Sequence, residues 1–248
     1  MSGIVLITGA SRGIGAAAAR LAAQRGYDVA VNYQKNQDAA ESVAEVVRKQ
    51  GRKAIVVSAD VSVEEQVVAM FETVDAQLGK LSALVNNAGI LNQQCRVEDM
   101  SAQRMQRIFA VNITGTLLCI REAIRRMSVN HGGQGGAIVN ASSRAAQLGA
   151  ANEYVDYAAS KGAVDTLTIG LAKELASDKI RVNTVRPGYI DTDMHASGGE
   201  PGRVARLAPT LPMGRGGTSE EVAEAILWLL SDKSAYSTGT FIDVSGGR

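Results

Sequence analysis

Seven short apolar runs alternate with six longer helical stretches along the 248 residues, and this alternation predicts an α/β fold. The expected architecture is a doubly wound, seven-stranded parallel sheet with helices on both faces. Two further observations point the same way. The runs are continuous Val, Ile, Leu and Ala rather than alternating, which suits strands buried on both faces. The intervening stretches are long enough for helical crossovers, whose right-handed sense brings the carboxyl ends of the strands to one rim. Composition stays uniform without repeat or linker, so residues 1–248 are expected to form a single domain.

Composition narrows the function classes. Apolar residues make up 46% of the chain, enough for a substantial core. The net charge is +1, from 26 basic and 25 acidic residues without a block of like charge, which disfavours nucleic acid and anionic membrane as partners. Cys95 and Cys119 lack ligand-like spacing, so neither a disulfide framework nor a metal site is expected, and a reducing, cytoplasmic compartment fits. No apolar run is long enough to span a bilayer. A strand is expected to begin at residue 4, so no signal peptide is expected.

Ile4-Val5-Leu6-Ile7 reads as the first strand and feeds directly into Thr8-Gly9-Ala10-Ser11-Arg12-Gly13-Ile14-Gly15. An alanine-rich helix follows over 16–25 and stops at Gly26. Glycines at a strand-to-helix turn let the backbone approach a phosphate, and the helix start offers free N–H groups with a partial positive charge. The spacing is G-x-x-x-G-x-G rather than G-x-G-x-x-G. Its position between a buried strand and a long helix is what points to a dinucleotide site. The second strand, residues 28–33, runs into Asn32-Tyr33-Gln34-Lys35. NAD sites place an acid near this point to bond the ribose hydroxyls. None stands there, whereas Arg12 and Lys35 suit a 2′-phosphate, so NADP is preferred over NAD. The alternative is that both cations are merely solvated.

A charged helix is expected over 37–50 and a third strand over 53–58, followed by Ala59-Asp60-Val61. Asp60 is placed to take the adenine amino group or, with Ser62, to cap the helix over 63–78. Residues 81–85 form the fourth strand, and Asn86-Asn87-Ala88-Gly89 follows. Side-chain amides can tie strand ends together while small residues leave room for a flat ligand; otherwise the segment is a plain turn. A long helix over 101–127 contains Asn112 in an apolar stretch, where an amide needs a partner. Either it bonds neighbouring backbone, or it bends the helix and holds a water.

After a glycine-rich loop at 128–136, the fifth strand, residues 137–141, delivers Ser142 and Ser143 to its carboxyl end. The helix over 153–176 carries Tyr157 and Lys161 one turn apart on one face. A tyrosine keeps its proton until pH ~10. An ammonium one turn away favours the phenolate and lowers that pKa, which makes a tuned proton donor and acceptor. Residues 180–186 form the sixth strand, ended by Pro187-Gly188. The segment 189–218 lacks periodicity and is expected to be a lid that shapes the substrate pocket. Thr218 or Ser219 caps the last helix, with Glu220 and Glu221 in its first turn. Residues 240–244 close the sheet as a seventh strand.

Taken in order, Thr8-Gly9-x-x-x-Gly13-x-Gly15, Asp60-Val61, Asn86-Asn87-Ala88-Gly89, Asn112, Ser143, Tyr157-x-x-x-Lys161 and Pro187-Gly188 with Thr192 form a set. That set resembles the short-chain dehydrogenase/reductase family over essentially the whole chain, nearest to its 3-oxoacyl-carrier-protein reductase and glucose dehydrogenase branch. The resemblance implies a Rossmann-type fold and an oxidoreductase that interconverts a carbonyl and a secondary alcohol by hydride transfer with NADP or NAD. It implies Tyr157 as general acid in reduction and base in oxidation. Lys161 then lowers the Tyr157 pKa and bonds the nicotinamide ribose, Ser143 polarises the substrate oxygen, and Asn112 supports a water relay to Lys161. Fixed donors at an oxygen that gathers charge stabilise the transition state; the hydride belongs to the cofactor. Expected cofactor contacts are Thr8, Gly9, Ser11, Arg12, Gly13, Ile14, Gly15, Asn32, Tyr33, Asp60, Val61, Asn87, Ala88, Gly89, Pro187, Gly188, Ile190 and Thr192, besides Tyr157 and Lys161. A homotetramer or homodimer follows from the same resemblance, with the helices over 101–127 and 153–176 pairing.

Strand alternation lets only one of Ser142 and Ser143 face Tyr157, and the family pattern favours Ser143. Tyr154 lies two turns from Lys161, ~10 Å along the axis, and is expected to line the substrate pocket. His195 is not needed by this chemistry and is expected at the surface, while Met194 is a candidate for touching substrate. Cys95 and Cys119 are expected to pack. A carrier-bound 3-oxoacyl thioester is the alternative substrate, with Arg121, Arg125 and Arg126 meeting an acidic carrier or lying on a solvated face. A non-catalytic dinucleotide sensor is the remaining reading, and the retention of both Tyr157 and Lys161 argues against it.

Overall fold

The computed structural model describes residues 3–248. Strands β1 (Gly3–Ile7), β2 (Tyr27–Tyr33), β3 (Ala54–Ser58), β4 (Ala83–Asn86), β5 (Gly136–Ala141), β6 (Ile180–Pro187) and β7 (Phe241–Val244) form one parallel sheet in the order β3-β2-β1-β4-β5-β6-β7. The helices are α1 (Gly13–Gln24), α2 (Gln37–Lys49), α3 (Glu64–Gln77), α4 (Ala102–Phe109), α5 (Thr116–Met127), α6 (Ala145–Leu148), α7 (Val155–Glu174), α8 (Met194–Ser197), α9 (Arg203–Leu207) and α10 (Ser219–Leu230). This is the doubly wound, seven-stranded sheet that the strand–helix alternation predicts.

The continuous apolar strands explain its two cores. Successive strand residues point to opposite faces, so Val5 and Ile7 join one cluster and Leu6 the other. The first face is covered by α1, α2 and α10 through alanines and valines such as Ala18, Ala22, Val43 and Val222. The second is covered mainly by α3 and α5 through Met70, Phe71, Ile120 and Met127. Winding reverses between β1 and β4, the neighbouring strands from which the chain leaves in opposite directions. Crevices form outside the carboxyl ends of strands at such a reversal.

Three expectations are corrected. The helix over 101–127 is not uniform: a π-helical turn, Ala110–Gly115, joins α4 to α5 and carries Asn112. Neither Asp60 nor Ser62 caps α3, whose start at Val63 has no side-chain cap; Asp60 instead accepts from the Ser62 amide at 3.0 Å. The segment 189–218 is not without regular structure: it holds the short helices α8 and α9, and Arg203 on α9 pairs with Glu153 and Glu200. Among the described residues no helix is long and apolar enough to cross a membrane.

Candidate active site

The amino-terminal half of the rim is a network of side chains tying strand ends together. Thr8 Oγ1, at the end of β1, accepts from the amides of Asn87 and Ala88, both at 3.0 Å. Asn87 Nδ2 donates to the carbonyls of Thr8 and Gly9 at 2.9 and 3.0 Å. Buried Asn32 accepts from the Gly9 amide at 3.0 Å and donates to backbone carbonyls of Tyr33, Val57 and Ala59. These amides fix the glycine loop against β2, β3 and β4. They leave a crevice of about 550 Å³ lined by Gly9, Ser11, Arg12, Gly13, Ile14, Asn32, Tyr33, Asp60, Val61, Asn87, Ala88, Gly89 and Thr192, among others.

Helix α1 opens onto this crevice with no side-chain cap and no acid in its first turn. Its free N–H groups and positive dipole end suit a phosphate, and the crevice therefore fits a dinucleotide. Arg12 and Lys35 line the same crevice. Among the described residues Arg12 has only a loose exposed partner, Asp193, at 3.7 Å. Asp60 is more heavily engaged than its sequence position suggests. Its Oδ2 accepts from Gln34 at 2.7 Å and from Arg107 at 2.8 Å, and its Oδ1 from the Ser62 hydroxyl at 2.7 Å. Burial acts to raise its pKa, but the Ser62 and Arg107 bonds outweigh it and hold the carboxyl below its ordinary range.

The carboxyl end of β5 separates its two serines as strand alternation requires. Ser142 turns inward and donates to the Lys161 carbonyl at 3.1 Å. Ser143 faces outward, accepts from the Ala145 amide at 3.1 Å, and lies close enough to the Tyr157 phenol to act on its pKa. Tyr157 sits in the first turn of α7. That turn is anchored by Asp156, which accepts from the Tyr157 amide at 2.9 Å and pairs with Arg104 of α4 at 2.7 Å. The Asp156–Arg104 pair was not anticipated from the sequence; the only local signal was an acid in the first turn of a helix.

Lys161 Nζ donates to the Ala141 carbonyl at 2.7 Å and stands 5.6 Å from the centre of the Tyr157 ring. Its charge does not dominate the tyrosine. Burial pushes the Tyr157 pKa up to about 12, with the Ser143 bond acting in the opposite direction. Burial likewise draws Lys161 down to about 8, opposed by the charge of Asp165. Both groups have lost their hydration, which penalises each charged form. The expected lowering of Tyr157 by Lys161 is therefore corrected: burial raises the phenol's pKa, and Ser143 rather than Lys161 acts against it.

Asn112 is fully buried. Its amide nitrogen donates to the Ile90 carbonyl and to Ser160 Oγ, and its Oδ1 accepts from the Ile90 amide, each at 2.9 Å. This is the bonding to neighbouring backbone that an amide in an apolar helix requires. A Cβ at Gly89 would lie 3.4 Å from Lys161 Nζ and 3.5 Å from Asn112 Oδ1, so that glycine separates the two groups. Thr8, Gly15 and Asn112 stand behind the cavity walls rather than on them. Gly15 is constrained by the scaffold, since a Cβ there would meet Asn87 Nδ2 at 2.5 Å and the Gly9 carbonyl at 2.6 Å.

A second cavity of about 160 Å³ lies over Tyr157, Ser143 and Lys161 and includes Pro187, Gly188 and Ile190 in its walls. It shares Ile14, Asn87, Thr192 and Met194 with the glycine-loop crevice, so the two are contiguous. Tyr154 lines it as expected, its hydroxyl donating to the Gly198 carbonyl at 3.1 Å. His195 is not a surface residue. It is half-buried in the same wall, with Nε2 2.9 Å from the Ile190 carbonyl, and burial lowers its pKa. Cys119 packs in the core, whereas Cys95 is partly exposed with Sγ 3.0 Å from Arg104. Arg121, Arg125 and Arg126 are not free: all three pair with the nearly buried Glu122, Arg121 also with Glu64 and Arg126 with Asp75.

Comparison with known proteins agrees with this geometry. A family model described as "Enoyl-(Acyl carrier protein) reductase" matches residues 9–248. The chain is 60% identical over 245 residues to "Uncharacterized oxidoreductase YgfF" of Escherichia coli (strain K12), covering 99% of each chain. It is 37% identical over 247 residues to the "3-oxoacyl-[acyl-carrier-protein] reductase FabG" of Staphylococcus aureus (strain Mu50), covering 100% of this chain and 98% of that one. A crystal structure of a short-chain type dehydrogenase/reductase from Mycobacterium marinum matches with a TM-score of 0.91 at 38% identity, over 99% of this chain and 94% of that one.

Proposed function

The chain belongs to the short-chain dehydrogenase/reductase family, and we propose that within it the protein is an NADP-dependent enzyme that interconverts a carbonyl compound and a secondary alcohol. One observation carries this reading. Tyr157 and Ser143 line one pocket, and that pocket is continuous with the glycine-loop crevice.

The residues that would hold the nicotinamide dinucleotide are the glycine loop, Asn87 to Gly89, Thr192 and Lys161, and the group supplies the hydride when bound. The remaining chemistry belongs to the chain. Tyr157 is protonated at neutral pH, as any tyrosine is, with burial raising its pKa further, and it gives its proton to the substrate oxygen in reduction. Ser143 donates a hydrogen bond to the same oxygen. Together they stabilise charge where it develops. Lys161 offsets the phenolate left behind. Both Asn112 amide hydrogens are taken by Ile90 and Ser160. Asn112 therefore contributes a remaining Oδ1 lone pair, and a water between it and Lys161 completes the relay that re-protonates Tyr157.

The NADP preference is supported by Arg12 and Lys35 on the crevice and by the lack of a carboxylate among residues 32–36. A phosphate competes readily with Asp193 for Arg12, because that pair is long and exposed. Exposed Leu117 on α5 and Ile169 on α7 support pairing of these helices in a homotetramer or homodimer. A carrier-bound 3-oxoacyl thioester is the second reading, favoured by the identity to the staphylococcal reductase. The arginines of α5 lend it no support, since their charge is spent on Glu122, Glu64 and Asp75.

The test is cofactor oxidation by wild type and Tyr157→Phe over a panel of ketones, sugars and a carrier-bound 3-oxoacyl substrate. The variant should lose ~10³-fold or more in turnover, by the scale of acid–base catalysis, and keep its NADPH affinity. Substantial turnover by the variant, or a preference for NADH in wild type, would overturn the corresponding part of the reading.

A further inference from the structure

The pocket over Tyr157 carries one cation that neither the fold nor the proposed reaction uses. Five basic side chains line it: Arg144, Lys161, His195, Arg203 and Arg248. Four are accounted for. Arg144 donates to Asp243 at 2.8 Å. Arg203 is held between Glu153 and Glu200. Lys161 is bonded to the Ala141 carbonyl beside Tyr157. His195 is engaged through Nε2 by the Ile190 carbonyl.

Of the five, only Arg248 has neither a hydrogen-bond nor an ion-pair partner for its side chain among the described residues. Its guanidinium lies 4.4 Å from the ring centre of Tyr189, another residue of the same wall. Stacking on an aromatic face holds the guanidinium plane and leaves its N–H edges free to donate. The tail is shaped to bring it there. Gly246 and Gly247 follow β7 with φ of +63° and +89°, a left-handed pair that side chains resist. Met213 donates to the Gly246 carbonyl at 3.2 Å, and Ser245 Oγ to the Arg248 carbonyl at 3.0 Å. The same pocket is also lined by the apolar side chains of Leu91, Leu148, Ile190 and Met194.

We propose that Arg248 is a specificity-determining residue that binds an anionic group of the substrate, so that the pocket takes an oxo acid, or the matching hydroxy acid, with an apolar body between carbonyl and anion. A guanidinium fork pairs with a carboxylate through two parallel N–H bonds. Apolar walls favour hydrocarbon between the two polar ends. The anion is the carboxylate of a free acid or the phosphodiester of a carrier-bound arm, since both present the same charge to the fork. The inference rests on assigning this pocket to substrate, and it is tested by binding rather than by turnover so that the two fail separately.

Calorimetry with NADP present would compare methyl keto acids of graded chain length, their methyl esters, and a ketone on a phosphopantetheine arm. The proteins are wild type, Arg248→Ala, Arg248→Lys and Arg248→Glu. In wild type the best-fitting anion should bind about tenfold or more tighter than its ester, the strength of a charge-assisted pair. That ratio should fall to near one in R248A, survive in part in R248K and invert in R248E. Tightest binding by a free acid assigns the carboxylate, and tightest binding by the phosphopantetheine ligand assigns the carrier arm; either supports the proposal if Arg248 controls it. An acid-to-ester ratio near one in wild type together with phosphopantetheine binding that does not depend on Arg248, or a preference for the anion that is unchanged in R248A, overturns it. Arg248-dependent binding without any NADPH oxidation would uphold this inference and sink the carbonyl-reductase reading.

Discussion

Helices α1 and α10 pack into the same core on one face of the sheet and are each 12 residues long, yet they begin in opposite ways. α10 starts with a capping box: Thr218 Oγ1 accepts from the Glu221 amide at 3.2 Å, and the Glu221 carboxylate accepts from the Thr218 amide at 2.9 Å. Glu220 and Glu221 also place negative charge on the positive end of that helix. α1 has neither device. Its N-cap is Arg12, a cation at the end where anions are favourable. The first turn of α10 is thus satisfied from within the chain. A helix whose first turn is left bare, at the reversal of a doubly wound sheet, keeps those N–H groups for an anion from outside.

Supplying α1 with the cap it lacks gives the largest effect. Arg12 already has the extended conformation of an N-cap, with φ −155° and ψ 172°. Arg12→Asp should therefore stabilise the free protein by ~1 kcal/mol, the usual worth of an acidic cap. The same carboxylate would repel phosphate. NADPH affinity should fall about 100-fold or more, roughly 2.7 kcal/mol. Calorimetry for binding and a melting curve for stability read the two effects apart. Loss of NADH affinity as well would locate the pyrophosphate at the helix start. A variant that binds NADPH as well as wild type would show that the bare start is not a phosphate seat.

The same trade between stability and function extends to the buried lysine. The Lys161 pKa is about 8 in the fold against an ordinary 10.5. Folding therefore disfavours its proton: the cost is present in full below pH ~8 and fades as pH rises towards ~10.5, where the unfolded chain also loses the proton. That shift corresponds to about 3 kcal/mol, less ~1–2 kcal/mol for the Ala141 carbonyl that would lose its partner. Lys161→Met should thus gain about 1–2 kcal/mol at neutral pH while losing turnover, with the gain vanishing in alkali. Urea unfolding at neutral and alkaline pH measures it. A variant less stable than wild type at neutral pH would mean that the Ala141 bond outweighs the burial of the charge.

The two halves of the site differed in how far the sequence exposed them, for a physical reason. The nucleotide half is built from local segments whose chemistry is written in consecutive residues, such as Thr8 to Gly15 and Asn87 to Gly89. Even there, packing decided the parts. Thr8, Gly15 and Asn112 became supports behind the walls, and Asn32 was consumed by four backbone bonds. The substrate half is assembled from distant pieces. Arg203 reaches Glu153 across 50 positions, and Arg248 reaches Tyr189 only through the glycine turn after β7. A lone histidine or arginine carries no periodic signal, so the sequence alone places His195 at the surface and gives Arg248 no distinguishing mark. The π-helical turn was equally silent, because the partners of Asn112 are Ile90 and Ser160, far away in sequence. The protonation behaviour of Tyr157 and Lys161 depends on what encloses them, and their spacing alone could not supply it.

Removing the cap from α10 is the smallest test and the sharpest control. Thr218→Ala deletes one bond of the reciprocal pair, while Glu221 keeps its contact with the residue 218 amide and its ion pair with Arg215. The loss should be about 1 kcal/mol, the typical cost of an N-cap truncation. For a chain of this size that corresponds to a melting temperature lower by about 2–4 °C. NADPH affinity and turnover should not move, because the α10 cap touches neither cavity wall at the glycine loop. Thr218→Asp, which can accept the same amide, should restore the loss. If Thr218→Ala weakened NADPH binding in step with stability, the two helix starts would be coupled through their shared core. The bare end of α1 would then owe its affinity to packing against α10 rather than to its own unpaired first turn.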